Sequence, residues 1–258
     1  MTALIQTFEH GNIREIRLAR PPVNALDADL CRALISALNA AMGDGAHGIV
    51  LSGGERIFSA GMDVPFLLSL GDDQHALLDS WQAFFGAART LAESRVPVAV
   101  AMGGHAPAGG CVLALCCDYR VMARSVDAAK PYVIGLNETQ VGLVAPEGIQ
   151  RLLRRVVGPH RAERLLVSGE MVTAERALDI GLVDELADGA DVVPRAIAWL
   201  ESLLRLPQQA VLKTRSIARV DVVDALHNDN IQLDRFVEAW SAPGTQTALK
   251  SLVAKLGK

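Results

Sequence analysis

The chain has 258 residues, half of them hydrophobic, which is enough to bury a substantial core in one large domain or in one domain with a helical appendage. The net charge of −4 offers no basic face for a nucleic-acid backbone, and no stretch approaches the roughly 20 apolar residues of a membrane span. We therefore expect a protein that binds neither nucleic acid nor a membrane.

The cysteines show neither metal-ligand spacing nor a CxxC pair, so buried, reduced thiols are expected. They are Cys31, Cys111, Cys116 and Cys117. Residues 1–11 have no signal-like apolar run and no Arg-rich presequence. Together these features predict a cytoplasmic location.

The first part of the chain alternates predicted strands and helices. Alternating apolar residues around a turn at residues 10–12 predict a hairpin, and Asp27 or Asp29 is expected to cap a helix that stops near Gly43. Short apolar runs and longer helical patterns predict the next elements. These are strands at residues 48–51, 96–102 and 119–123, and helices at residues 73–94 and 109–117.

From Glu147 onward the pattern is almost wholly helical. The predicted helices are residues 148–157, 161–167, 173–180 and 192–204, with further helices after Pro207. Strand–helix alternation followed by a helical tail predicts an α/β fold. We place a core domain at residues 1–195 and a helical C-terminal region at residues 196–258.

Several common catalytic motifs are absent from the sequence. It contains no GxSxG elbow, no GxGxxG fingerprint, no phosphate-binding loop ending in Lys-Ser or Lys-Thr, and no HExxH. Hydrolase, dinucleotide, nucleotide and zinc-peptidase functions therefore lack the residues that would carry them.

Two loops share one physical design. The first loop is FSAGMD at residues 58–63, and the second loop is HAPAGGC at residues 105–111. Each follows a predicted strand, contains small residues that let a ligand approach the backbone, and precedes a helix whose first N–H groups are unpaired. Each loop alone is more often an ordinary turn. If the two converge, they form an oxyanion hole, worth about 3–4 kcal/mol per donor.

A series of motifs along the chain resembles the crotonase family, also called the enoyl-CoA hydratase/isomerase family, over about residues 5–190. In order they are RPPVNAL at 20–26, FSAGMD at 58–63, PAGGC at 107–111, CDYR at 117–120, Gly169, and GLV at 181–183. The resemblance implies a crotonase-like spiral of ββα units with a helical C-terminal trimerisation region. It also implies an acyl-CoA thioester substrate and a homotrimer or a dimer of trimers.

The resemblance implies an oxyanion hole made by the backbone N–H groups of Ala60 and Gly109. Contacts with the CoA part of the substrate are implied around the first loop, at Ser59, Ala60, Gly61, Met62 and Asp63. No metal or redox cofactor is expected, since coenzyme A enters as part of the substrate.

Two further positions have alternative interpretations. Arg56 lies where many relatives have a basic residue, so it either contacts a CoA phosphate or is an ordinary solvated arginine. Phe66 follows the first loop and either lines the acyl tunnel or belongs to the plain core.

Carboxylates decide the chemistry within this family. Hydratases of the family use two glutamates to position water, and the first of these positions is Val112 here. The second is Glu138, within a segment at residues 134–143 that closely resembles the mitochondrial-type Δ3-Δ2-enoyl-CoA isomerase subgroup. The resemblance implies that Glu138 alone shuttles a proton as the double bond moves from the 3- to the 2-position, a step of fatty acid β-oxidation. A hydrophobic pocket would raise its pKa toward the working range.

Two alternatives remain at this point. Glu147 is either a helix N-terminal acid or a second proton-transfer group, and in the second case Glu138 and Glu147 would support a hydratase or another crotonase-type lyase or isomerase. The alternative of another class is a non-catalytic crotonase-fold binding protein.

Overall fold

A computed structural model describes residues 3–256 of the chain. The strands are β1 (Ile5–His10), β2 (Ile13–Leu18), β3 (Gly48–Ser52), β4 (Val98–Met102), β5 (Ala106–Pro107), β6 (Tyr119–Ala123), β7 (Val133–Gly135), β8 (Val172–Thr173) and β9 (Glu185–Ala187). The helices are α1 (Ala28–Gly43), α2 (Val64–Ser69), α3 (Gln74–Ala92), α4 (Gly109–Leu115), α5 (Glu147–Val157), α6 (Pro159–Ser168), α7 (Ala174–Asp179), α8 (Val192–Leu204), α9 (Gln208–Ala218), α10 (Val220–Ala225), α11 (Asn228–Ile231), α12 (Leu233–Ser241) and α13 (Pro243–Leu256). The predicted α/β fold with a helical C-terminal part is confirmed.

The strands form two sheets. The large sheet has the order β1-β2-β3-β4-β6-β9, and all its neighbours are parallel except the β1–β2 hairpin. The small sheet has the order β5-β7-β8. Strands β3 and β4 are buried along their whole length, as expected for parallel strands covered on both faces. Two successive units, β4–β5–α4 and β6–β7–α5, each add one strand to the large sheet, one short strand to the small sheet and one helix.

Local signals in the sequence explain where the long helices begin. The side chain of Asp27 accepts a hydrogen bond from the N–H of Leu30 at the start of α1. Asp73 does the same for Ala76 at the start of α3. The short strands β5, β7 and β8 were not predicted, because two or three residues are too few to show a periodicity.

The predicted boundary between residues 195 and 196 is wrong. It falls inside α8, which packs against β3, β4 and β6 and therefore belongs with the core. The outermost residues of the two predicted parts, 1–2 and 257–258, lie outside the described residues.

All four cysteines are buried free thiols, as predicted. Burial raises the pKa of Cys31 and of Cys116 to about 12, because a thiolate would lose its hydration there. Within residues 3–256, no helix is both long enough and apolar enough to cross a membrane.

A buried ion network fastens the C-terminal helices to the large sheet. Asp118 accepts a hydrogen bond of 2.8 Å from the N–H of Val98. Its carboxylate also lies 2.8 Å from the guanidinium of Arg215 and 3.0 Å from that of Arg219. Arg219 in turn donates to the carbonyl oxygen of Cys116. The segment around α9 and α10 is therefore held by charges that are almost fully desolvated.

Replacing Asp118 with Ala is expected to lower the free energy of unfolding by about 3–5 kcal/mol, because it leaves Arg219 buried without its counter-ion. Denaturation in urea measures the change. Asp79→Ala is the matched control, since Asp79 pairs with Arg32 on the surface and its loss is expected to change stability by at most about 1 kcal/mol. Equal effects of the two substitutions would contradict the assignment.

Candidate active site

A short segment before α1 pairs with the first loop through the backbone. The N–H of Leu26 donates to the carbonyl oxygen of Gly61 at 2.8 Å, and the N–H of Asp63 donates to that of Leu26 at 2.9 Å. The N–H of Ala60 donates to the carbonyl oxygen of Val23, also at 2.9 Å. The first loop therefore has a fixed register against this segment.

Side chains reinforce the same pairing. The guanidinium of Arg20 lies 2.8 Å from the carboxylate of Asp63 and 3.0 Å from that of Asp27. The hydroxyl of Ser59 donates to the carbonyl oxygen of Asn24 at 2.7 Å. Ser59 and Asp63, expected as ligand contacts, hold the loop in place, and neither lines the cavity described below.

The pairing decides which amide of the first loop is free. The expected donor at Ala60 is wrong, because its N–H is already bonded to Val23. Leu26 bonds to the residues on either side of Met62, so the Met62 N–H turns away from Leu26 and has no acceptor among residues 3–256. Gly61 has a φ of +82°, which lets the chain reverse direction between Ala60 and Met62.

The second loop leads into α4, whose first residue is Gly109. Its N–H precedes the helical hydrogen bonds and has no acceptor within residues 3–256. Ala108, just before it, has φ 45° and ψ −114°, a conformation that costs a residue with a Cβ about 1–3 kcal/mol. A hydrogen bond of 2.8 Å from the Ala108 N–H to the carbonyl oxygen of Gly135 helps to hold this conformation.

The two loops converge, which is the arrangement that an oxyanion hole requires. An isolated parallel bridge joins Ile57 to His105, at the start of the two loops. At their other ends the backbones touch, since a Cβ on Gly61 would lie 3.1 Å from the nitrogen of Gly109. Only small residues permit this approach, and it brings both free amides to one cavity.

Glu138 begins a 3-10 turn, Glu138–Val141, at the same cavity. Although the residue keeps some exposed surface, its Oε2 atom is buried and has no hydrogen-bond partner among the described residues. Loss of hydration raises the pKa of Glu138 from 4.5 to about 7, and a hydrogen bond from its own backbone N–H opposes this only in part. The carboxyl group can therefore both accept and return a proton near neutral pH.

The cavity has a volume of about 110 Å³ and a mainly apolar lining. Met62, Gly109 and Glu138 all line it, and so does Val112, as expected. Among its lining residues Glu138 is the only one with a titratable side chain, and Asn137 adds an amide. In the part of the chain that the structure describes, no cluster of His, Cys, Asp and Glu is suited to hold a metal ion.

Phe66, Glu147 and Arg56 also lie outside the cavity. Phe66 is 40% exposed, so it does not belong to the core, and its contact with an acyl chain stays a prediction. Glu147, the first residue of α5, is exposed and its carboxylate lies 2.7 Å from the guanidinium of Arg151. It has the position of a helix N-terminal acid, which does not favour the alternative role as a second proton-transfer group. Arg56 is also exposed, and its contact with a CoA phosphate stays a prediction.

Comparison with known sequences agrees with the family that the site residues suggest. The sequence model of the enoyl-CoA hydratase/isomerase family matches residues 9–242. The chain belongs to this family. It is 31% identical over 256 residues to the mouse protein named enoyl-CoA delta isomerase 1, mitochondrial, covering 98% of this chain and 86% of that relative. It is also 32% identical over 240 residues to the probable enoyl-CoA hydratase EchA17 of Mycobacterium tuberculosis, covering 91% and 87%.

Solved structures show the same fold. The crystal structure of human mitochondrial delta3-delta2-enoyl-CoA isomerase matches with a TM-score of 0.89 at 27% identity, covering 99% of this chain and 98% of that one. An enoyl-CoA hydratase from Bacillus halodurans matches with a TM-score of 0.86 at 21% identity, which bears on the fold alone. The predicted crotonase-like fold is confirmed, and the protein is an enzyme of the enoyl-CoA hydratase/isomerase family.

The pKa of Glu138 has a consequence for stability. The folded protein holds the Glu138 proton up to a pH of about 7, whereas the unfolded chain releases it near 4.5, so the free energy of unfolding falls as the pH rises through this window. The difference corresponds to about 3 kcal/mol. Urea denaturation across this range should show Glu138→Gln gaining up to that amount relative to the wild type as the pH rises.

Glu147→Gln is the matched control, because it removes an exposed carboxylate. Its stability relative to the wild type should vary far less over the same range. A stability difference between Glu138→Gln and the wild type that does not depend on pH would contradict the buried carboxyl group.

Proposed function

We propose that this enzyme moves a double bond from the 3- to the 2-position of an acyl-CoA thioester. The observation that carries the proposal is that one titratable side chain, Glu138, lines the cavity, with its pKa raised to about 7. The free amides of Met62 and Gly109 line the same cavity. The similarity to named enoyl-CoA isomerases supports this assignment.

In the first step the carboxylate of Glu138 takes a proton from C2 of the 3-enoyl thioester. The electron pair left on C2 spreads over the thioester oxygen and over the C3–C4 double bond, which gives a dienolate. The N–H groups of Met62 and Gly109 would donate to the thioester oxygen, where negative charge develops. Each such donor contributes about 3–4 kcal/mol to the transition state.

In the second step the protonated Glu138 returns the proton at C4. The C2–C3 bond becomes the double bond, conjugated with the thioester, and Glu138 is again a carboxylate. One group performs both transfers only if its pKa lies near the working pH, and burial provides this. The reaction moves only a proton, so we propose that it needs neither a metal nor a redox cofactor, and that coenzyme A enters with the substrate.

Hydration of a 2-enoyl-CoA is the second candidate reaction. It is favoured by the similarity to a probable hydratase and by Asn137, whose amide lines the cavity beside Glu138 and could hold a water molecule. The position of the first hydratase glutamate is Val112, which can neither orient water nor transfer a proton. The exposed Glu147 does not replace it. Isomerisation is therefore the better supported reaction.

The purified enzyme is expected to convert 3-enoyl-CoA to 2-enoyl-CoA, followed by the absorbance of the conjugated thioester. Glu138→Gln should lower kcat by about 10²–10⁴-fold, because it removes the one titratable side chain among the described residues that line the cavity. Glu147→Gln keeps the fold and the cavity and should leave the rate unchanged.

Two outcomes would contradict this assignment. Hydration of 2-enoyl-CoA at a rate comparable with isomerisation would favour the hydratase. Binding of both thioesters without turnover of either would favour a binding protein.

The pH dependence of isomerisation follows from the same carboxyl group. Only the ionised Glu138 can take the C2 proton, so kcat/KM should rise with pH and level off above about 7. Initial rates over a buffered pH series measure this. An inflection near 4.5, the ordinary value for a solvated glutamate, would show that the carboxyl group is not buried during catalysis.

A further inference from the structure

The aromatic residues of this chain are concentrated at the cavity. Only 4% of the residues are aromatic, yet two of the three tryptophans and three of the six phenylalanines line this one cavity. Three come from α3 and two from α12. They are Trp81, Phe84 and Phe85 on α3, and Phe236 and Trp240 on α12.

The rings follow one another away from the second loop. A Cβ on Gly109 would lie 3.2 Å from the Cε2 atom of Phe84. The ring of Phe84 packs edge-on against Trp81, with centroids 6.2 Å apart. Trp81 then packs edge-on against Phe236 at 4.6 Å and against Trp240 at 5.5 Å. In the described part of the chain neither of these last two rings packs against Phe84, so in this series of ring contacts they are the furthest from Gly109.

This end of the cavity is held in place from outside. Helix α12 packs on α3, and α13 packs on the turn that begins with Glu138. The hydroxyl of Thr245 donates to the carbonyl oxygen of Gly142 at 2.9 Å, and Leu252 of α13 completes the lining. Edge-to-face packing of several rings resists displacement of any one of them. The rings at this end are therefore backed by other parts of the fold.

The volume of the cavity suits a small acyl group. It is about 110 Å³, well below the roughly 300–1,000 Å³ of pockets that enclose larger ligands. If the thioester oxygen binds at Met62 and Gly109, the acyl chain points along the rings toward the far wall. A long, straight acyl chain would contact those rings before its terminal carbon atoms were buried.

We infer that Trp81, Phe236 and Trp240 form an end wall that limits the substrate to short-chain enoyl-CoA thioesters. The inference rests on the proposed function for the position of the thioester, and it assigns specificity to residues that take no part in proton transfer. An acyl group that ends before the wall is held by the rings. A longer one must displace the rings or leave its tail in water.

Two pairs of acyl-CoA thioesters, each with a short and a long acyl chain, test the wall in the purified enzyme. The first compares kcat/KM for 3-hexenoyl-CoA and 3-dodecenoyl-CoA. The second compares the binding of butanoyl-CoA and dodecanoyl-CoA, which are saturated and cannot react, by calorimetry. Because misfit of even one methylene in a hydrophobic pocket changes affinity by about tenfold or more, the wild type should prefer the short thioester in each series by at least that factor.

Trp240→Ala removes one ring from the wall. In each series the preference for the short thioester should fall to within about threefold, mainly because the long thioesters react faster and bind more tightly. Trp199→Ala is the matched control, because Trp199 stacks on Tyr119 at 4.7 Å and does not line the cavity. It should leave both ratios unchanged. If Trp240→Ala fails to fold, Phe236→Leu removes a ring from the same wall with a smaller loss of packing.

The outcomes separate this inference from the proposed function. No length preference in the wild type, or a preference that survives both wall substitutions, overturns the wall. Absence of isomerisation with a clear preference for butanoyl-CoA overturns the proposed reaction and leaves the wall supported. Absence of binding by either saturated thioester overturns both.

Discussion

The backbone pairing between residues 23–26 and the first loop is the constraint on which the site depends. It fixes the loop in one register, with the N–H of Ala60 bonded and that of Met62 free. The same pairing places Gly61 against Gly109, so that the second free amide lies beside the first. Arg20 strengthens the arrangement by joining Asp63 to the cap of α1. Preorganised donors of this kind need no rearrangement when charge develops, which is the source of their effect on rate.

Glu138 depends on a second constraint, the exclusion of water by apolar neighbours. The cavity surrounds its carboxyl group with side chains that cannot solvate a charge, and this opposes ionisation in the folded protein. The same desolvation that lowers stability at higher pH makes the group suitable for taking and returning one proton. Stability and reactivity are thus coupled through one side chain, as is common where a pKa is strongly displaced.

Much of this architecture could be predicted from the sequence, because it is encoded locally. The capping aspartates and the apolar periodicity predicted the long helices and the main strands, whereas the small-residue loops suggested one site only through the family resemblance. The free amide at Met62 could not be predicted in this way. It depends on the register between two segments distant in sequence and on the φ of Gly61. The orientation of Glu147 also depends on tertiary packing, which turns the first residue of α5 outward.

The cavity combines segments that are far apart along the chain. During synthesis both loops and Glu138 leave the ribosome well before Phe236 and Trp240, which close the cavity. Until α12 and α13 are made, the cavity lacks the apolar side chains that these helices contribute to its lining. The raised pKa of Glu138 in the folded protein therefore depends in part on the segments that are synthesised last.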